Sequence, residues 1–131
     1  MDERLGKSYR LCSKKIIASF FEKDKTHYVQ KFPFRLYYQQ IKLPTEKPFQ
    51  IVFSAPKKKL KSAPKRNKVK RRMREVVRKN KNLIEPTLIS QNKQLALFLV
   101  YNNHEIIDFD AFERKIVFIL ERLNQTIKEQ V

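Results

Sequence analysis

The chain has 131 residues, 41% of them hydrophobic, which is enough for one domain with one core and too few for two. Thirty Lys and Arg against 13 Asp and Glu leave a formal net charge of +17, far beyond what solubility asks of a small domain, so a polyanionic partner is expected. A lone Cys12 excludes an intrachain disulfide, and the longest apolar run, Leu95 to Tyr101, is far shorter than the roughly 20 residues that span a bilayer.

Taken in chain order, Ile16 with Phe20 and Ile17 with Phe21 stand at i,i+4 and predict a short helix over Ser13 to Lys23, with Ser13 as its N-cap candidate. Phe34 to Ile41 alternates Phe34, Leu36 and Tyr38 with Arg35 and Tyr37, the pattern of a strand with one basic, aromatic face. Phe49 to Ser54 reads as a second strand, ended by Pro56. Residues 57–65 form a basic connector between two prolines, Pro56 and Pro64, which oppose regular structure. A helix is expected from about Asn67 to Asn80, because Val69, Met73, Val76 and Val77 recur at helical spacing. Gln94 to Tyr101 is continuously apolar, as a central strand covered on both faces would be, and Asn102-Asn103 supplies the turn after it. Asp110 to Glu113 resembles a capping box. It opens a long amphipathic helix marked by Phe112, Ile116, Ile119, Leu120, Leu123 and Ile127.

Helices packed on a small sheet make an α+β sandwich. With Gly6 the only glycine, positive-φ positions are expected to fall to Asn, Asp or Lys. His27 and His104 have no Cys partners at ligand spacing, so both read as ordinary surface or loop residues and no structural metal site is expected. The opening Met-Asp-Glu-Arg has no apolar stretch behind it, and the expectation is a cytoplasmic protein without a secretory signal.

The location of the charge narrows the function. Between Lys57 and Lys81 lie fourteen Lys and Arg and one acid, Glu75, so thirteen of the seventeen net charges sit in this stretch. On a helix, Asn67, Arg71, Arg74 and Arg78 share one stripe with Lys70 beside it, a rigid ridge of donors for phosphates, sugars and bases. Glu75 is placed to tether Arg71 and Arg72. The bland alternative is a solvated face or a nonspecific nucleic-acid patch, since basic runs are a weak motif by themselves.

The run Arg66-Asn67-Lys68-Val69-Lys70-Arg71-Arg72-Met73-Arg74-Glu75 resembles the Arg-Asn-Arg-x-Lys-Arg-x-x-Arg-Glu signature of the bacterial ribonuclease P protein family. Upstream, Phe53-Ser54-Ala55-Pro56-Lys57-Lys58 is similar to that family's strand end and Ser-x-x-Lys-Lys. Arg10-Leu11, Ile17 with Phe21, and Phe34-Arg35-Leu36-Tyr37 resemble its first helix and first strand. The likeness covers about residues 9–127 of what reads as a single domain over 1–131.

The resemblance implies a two-layer sandwich of a four-stranded sheet and three helices, in the order αβββαβα with a left-handed crossover. The third strand is expected from a different division of the segment between Arg35 and Ser54. The resemblance further implies a protein subunit that binds a catalytic RNA and the 5′ leader of precursor tRNA, with Mg²⁺ held mainly by the RNA. RNA-binding positions carried across are Arg66, Asn67, Lys68, Lys70, Arg71 and Arg74, with Lys57 and Lys58; the leader cleft takes Ile17, Phe21, Arg35 and Tyr37. Ile17 stands where an aromatic residue is common, Lys68 replaces an arginine, and Asp24 stands where glycine is frequent.

No membrane and no obligate protein partner are expected. Phosphodiester hydrolysis needs an activated water and charge stabilisation, and this chain has no clustered carboxylates to hold the metals that usually supply them. The rivals are a general basic RNA-binding or ribosomal protein without a leader site, an autonomous nuclease, and a DNA-binding basic helix. The last lacks both a heptad zipper and a helix-turn-helix companion.

Overall fold

A computed structural model describes residues 5–22 and 27–130. After a single turn at Lys7–Tyr9, α1 spans Lys14–Ser19, and the Ser13 hydroxyl accepts from the Ile16 amide at 3.3 Å, the N-cap expected of it. Arg10 and Leu11 precede this helix: Arg10 forms a parallel bridge with Ile51. The helix ends earlier than its sequence pattern suggested, closing on Phe20 and Phe21 with amide bonds to the carbonyls of Ile17 and Ala18. Lys23 and Asp24 lie outside the described residues.

Four strands follow the order β1-β2-β4-β3 across one sheet. They are β1 His27–Lys31, β2 Phe34–Gln40, β3 Phe49–Ser54 and β4 Leu95–Tyr101. The strand that the sequence did not reveal is β1, and it precedes Arg35 instead of lying between Arg35 and Ser54. Only Val29 of its five residues is buried, so it carries almost no alternation to read. Phe34 to Tyr37 therefore belongs to the second strand. A two-residue turn, Phe32-Pro33, pairs β1 with β2, with Tyr28 opposite Tyr37 and Gln30 opposite Arg35. β2 runs antiparallel to β4, and β3 runs parallel to β4.

A parallel neighbour demands a crossover, and helices supply it. α2 spans Ala63–Asn80, four residues longer at its start than expected. Ser62 caps it, and Pro64 falls in its first turn, where a missing N–H costs no intrahelical bond. A turn at Lys81–Leu83 leads to a short additional helix, α3, Glu85–Ser90, which buries Leu88. α3 ends with Asn92 at φ 52°. The Lys93 amide reaches the Leu88 carbonyl at 2.9 Å and that of Asn92 reaches Ile89 at 3.1 Å, so asparagine takes the left-handed position that glycine usually fills. α4 spans Phe109–Glu129, and its N-cap is Asp108, which accepts from Ala111 at 3.3 Å, not Asp110. Asp110 sits in the first turn, where its charge favours the helix dipole.

α2, α3 and α4 cover one sheet face. Phe34, Leu36, Phe49, Ile51, Leu97, Leu99 and Tyr101 from the strands meet Val69, Met73, Val77, Phe112, Ile116 and Leu120 from the helices in a single core. α1 alone lies on the opposite face, where Leu11, Ile16, Phe20, Leu43 and Ala96 form a smaller cluster. Gln39 ties it down by donating to the Ser19 hydroxyl. Among the described residues no other helix covers that face.

Tyr101 shows how the core handles a polar atom. Its buried hydroxyl donates to the Glu105 carbonyl at 2.5 Å and accepts from the Ile107 amide at 3.1 Å, fixing the loop that enters α4. Burial holds this phenol above its ordinary value of 10.0. The folded chain thus keeps a proton that the unfolded chain releases near pH 10, and this contribution to stability is complete below that pH and is lost as pH rises. Tyr101→Phe is expected to cost about 1–3 kcal/mol at neutral pH by stranding both partners, and to flatten part of the alkaline decline. Thermal melts of both proteins from pH 7 to pH 11 check this; equal melting temperatures at pH 7 would refute it.

Candidate nucleic-acid interface

The amphipathic pattern of α2 sorts its side chains by face. Val69 and Met73, with Val76 and Val77, are essentially fully buried, which pins the opposite side outward. Asn67, Lys68, Lys70, Arg71 and Arg74 are exposed there. The ridge is rigid because its seam is part of the main core. Arg74 also lies over the Phe53 ring, 5.9 Å from its centroid, and Arg72 over Phe109 at 5.5 Å.

Arg66 is placed differently. Its guanidinium donates to the carbonyls of Leu60 at 2.8 Å and Lys61 at 2.9 Å, so it staples the connector to the start of α2. Lys57 and Lys58 are exposed in the turn just after β3. Glu75 does not tether Arg71 and Arg72 as expected: it pairs with Arg78 at 2.5 Å and reaches Lys79 at 4.0 Å. A carboxylate preceding its cations by three or four residues is the favoured helical orientation. The hydrogen bond to Arg78 holds the Glu75 carboxyl below its ordinary value. The outer ridge is thereby left cationic.

The uncovered sheet face carries a row of rings. Register aligns Tyr28, Tyr37, Phe98 and Val52 on adjacent strands. Tyr37 lies 5.9 Å from Tyr28 and 5.9 Å from Phe98 between ring centroids. Phe21, just past α1, approaches Phe98 edge-on at 6.2 Å and is 74% exposed, which no core residue would be. Tyr28 is 54% exposed. Ile17 is half-buried beside the smaller cluster and lines the α1 side.

Arg35 closes the other side of the row. It sits 4.7 Å above the Tyr28 ring, donates to the Tyr37 hydroxyl at 3.2 Å and forks onto the Gln30 side-chain oxygen at 2.5 and 3.0 Å. Stacking surfaces with a fixed cation beside them suit unpaired bases of little sequence preference.

A family model described as ribonuclease P matches residues 5–124. The chain belongs to the ribonuclease P protein family. It is a protein subunit of ribonuclease P, an endoribonuclease ribonucleoprotein, and membership implies an RNA partner. Its fold is similar to that of the Staphylococcus aureus RNase P protein, at TM-score 0.67 and 19% identity over 88% of this chain and 94% of that one. The Thermotoga maritima RNase P protein is similar at TM-score 0.67 and 21% identity, covering 86% and 96%. A mutant of the Staphylococcus aureus protein reaches TM-score 0.70 at 21% identity, covering 89% of each chain. No curated protein matches this chain.

Against the ribonuclease P expectations, Phe21 and Tyr37 do come to one place, but through Phe98, which bridges them. Phe98 and Tyr28 are the members of this aromatic row that sequence reasoning missed. Phe98 was masked by an unbroken apolar run that conceals which side faces outward, and Tyr28 lies in the unrecognised strand. Among the described residues no three of His, Cys, Asp and Glu converge to hold a metal ion, and no helix is long and apolar enough to cross a membrane.

Proposed function

We propose that this subunit grips the catalytic RNA of ribonuclease P with α2 and lays the single-stranded 5′ leader of precursor tRNA along the aromatic row, assisting Mg²⁺-dependent removal of the leader. The RNA-facing set is Asn67, Lys68, Lys70, Arg71 and Arg74, with Lys57 and Lys58 on the adjoining turn and Arg66 holding the connector. The leader set is Ile17, Phe21, Arg35 and Tyr37, joined by Phe98 and Tyr28. The observation that carries this reading is the pairing of an exposed cationic ridge with a row of rings that no helix covers among the described residues.

Catalysis is assigned to the RNA. The Mg²⁺ is assigned to the RNA with it, as the family resemblance implies. The chain's own part is electrostatic and positional: each phosphate it neutralises relieves repulsion between two polyanions and lowers the metal concentration needed to bring them together. We place this work in the cytoplasm, where the exposed Cys12 thiol stays reduced.

Stacking contributes roughly 1–3 kcal/mol per base, so the holoenzyme is expected to bind precursor tRNA at least about fivefold tighter than mature tRNA. Ile17 in place of a ring should keep the ratio toward the low end. Equilibrium binding of both tRNAs at matched salt tests this, and equal affinities would favour a general RNA-binding protein.

A further inference from the structure

Where the aromatic row ends, at Val52 on the edge strand β3, the surface opens into a pocket of about 360 Å³. Val52 lines it from the open sheet face and Phe53 from the helix-covered face, around the edge of β3, and its rim carries four cations: Arg10 from the N-terminal segment and Lys70, Arg71 and Arg74 from α2. Among the described residues no carboxylate lines it. Four like charges around one concavity repel one another, and an apolar lining does nothing to relieve them. Arg10 is nonetheless fixed on the rim by its backbone, through the bridge to Ile51 and the Leu11 amide bond to the Ile51 carbonyl at 3.1 Å. A cationic rim around an apolar lining is matched by an amphiphilic anion, and a nucleotide has that character.

We propose that this pocket receives one nucleotide of the single-stranded leader, the one that passes from the row toward α2. Val52 supplies the continuity, because it stands beside Phe98 in the register and also lines the pocket, one strand spacing of about 4.8 Å away. The base rests on Val52 at the strand edge, while Phe53, on the other face, lies under the Arg74 guanidinium at 5.9 Å and holds that cation on the rim. Arg10, Lys70 and Arg71 take the phosphate. Arg10 thereby becomes a positioning residue for the leader, drawn from a segment outside every regular helix and strand. This rests on the leader reading given above and adds a fixed point to it.

The test uses holoenzyme and precursor tRNAs in which one leader phosphate at a time is replaced by an uncharged methylphosphonate. With wild-type protein, one linkage is expected to stand out, its neutralisation weakening binding about tenfold. In Arg10→Ala the same linkage should lose its special effect, the salt dependence should fall by roughly 0.7 in log–log slope, and Arg10→Lys should recover much of both. The pocket is overturned if the linkage remains as sensitive in Arg10→Ala as in wild type, or if no linkage stands out while precursor tRNA still binds more tightly than mature tRNA. If wild type binds the two tRNAs equally, the leader reading itself fails and the pocket proposal falls with it.

Discussion

Replacing Lys70, Arg71 and Arg74 together by alanine is expected to weaken binding of ribonuclease P RNA by about a hundredfold near 0.1 M salt and to lower the log–log salt slope by roughly 2–3. Each of these side chains is exposed on α2, and none contributes to the seam of Val69, Met73, Val76 and Val77 that anchors the helix. Alanine is also the best helix former, so the fold should persist and its melting temperature should hardly move. Met73→Ala is the contrasting control. It removes a fully buried side chain and should cost about 2–5 kcal/mol of stability while leaving the outer charges in place. Arg66→Ala belongs between these cases, because its guanidinium holds the Leu60 and Lys61 carbonyls. Filter binding across a salt series separates the three. An unchanged slope in the triple variant would mean that the ridge does not face RNA.

The second large effect is expected on the opposite face. Tyr37→Ala should weaken precursor tRNA binding by the holoenzyme about 5- to 100-fold and mature tRNA binding by less than about twofold. Tyr37 sits in the middle of the row, flanked by Tyr28 and Phe98, and its hydroxyl receives the Arg35 guanidinium. Removing it breaks the row and releases Arg35 from one of its partners. Tyr37→Phe keeps the ring and should keep most of the discrimination. Phe98 is less informative, since it also packs against Phe20 and Phe21 on a central strand and its loss would disturb the cluster under α1. Equal losses for both tRNAs in Tyr37→Ala would assign the face to general RNA contact.

Much of this arrangement was legible before any coordinates, and the reasons differ by element. The apolar positions of α2 and α4 repeat at helical spacing, so their buried faces followed directly, and with α2's face went the outward direction of its arginines. Their starts were misread for different reasons: Pro64 reads as opposing regular structure, although a first-turn proline costs no intrahelical bond and Ser62 caps α2, and Asp108 caps α4 in place of Asp110. β1 was missed because an edge strand with one buried residue has no period to detect, and its loss hid Tyr28. α3 was too short to register. The partners of Glu75 were misjudged because orientation was ignored: Arg78 and Lys79 follow the carboxylate in the favoured helical order, whereas Arg71 and Arg72 precede it. Nor does any local pattern bring Arg10 beside Lys70 and Arg74; that juxtaposition exists only because the N-terminal segment bridges to β3.

The most direct test of the account is cleavage of precursor tRNA by the cognate ribonuclease P RNA at low Mg²⁺, with and without this protein. The expected result is correctly placed 5′ cleavage that depends on the protein at low Mg²⁺ and that becomes independent of it as Mg²⁺ is raised. No enhancement by the wild-type protein at any Mg²⁺ concentration would contradict the account.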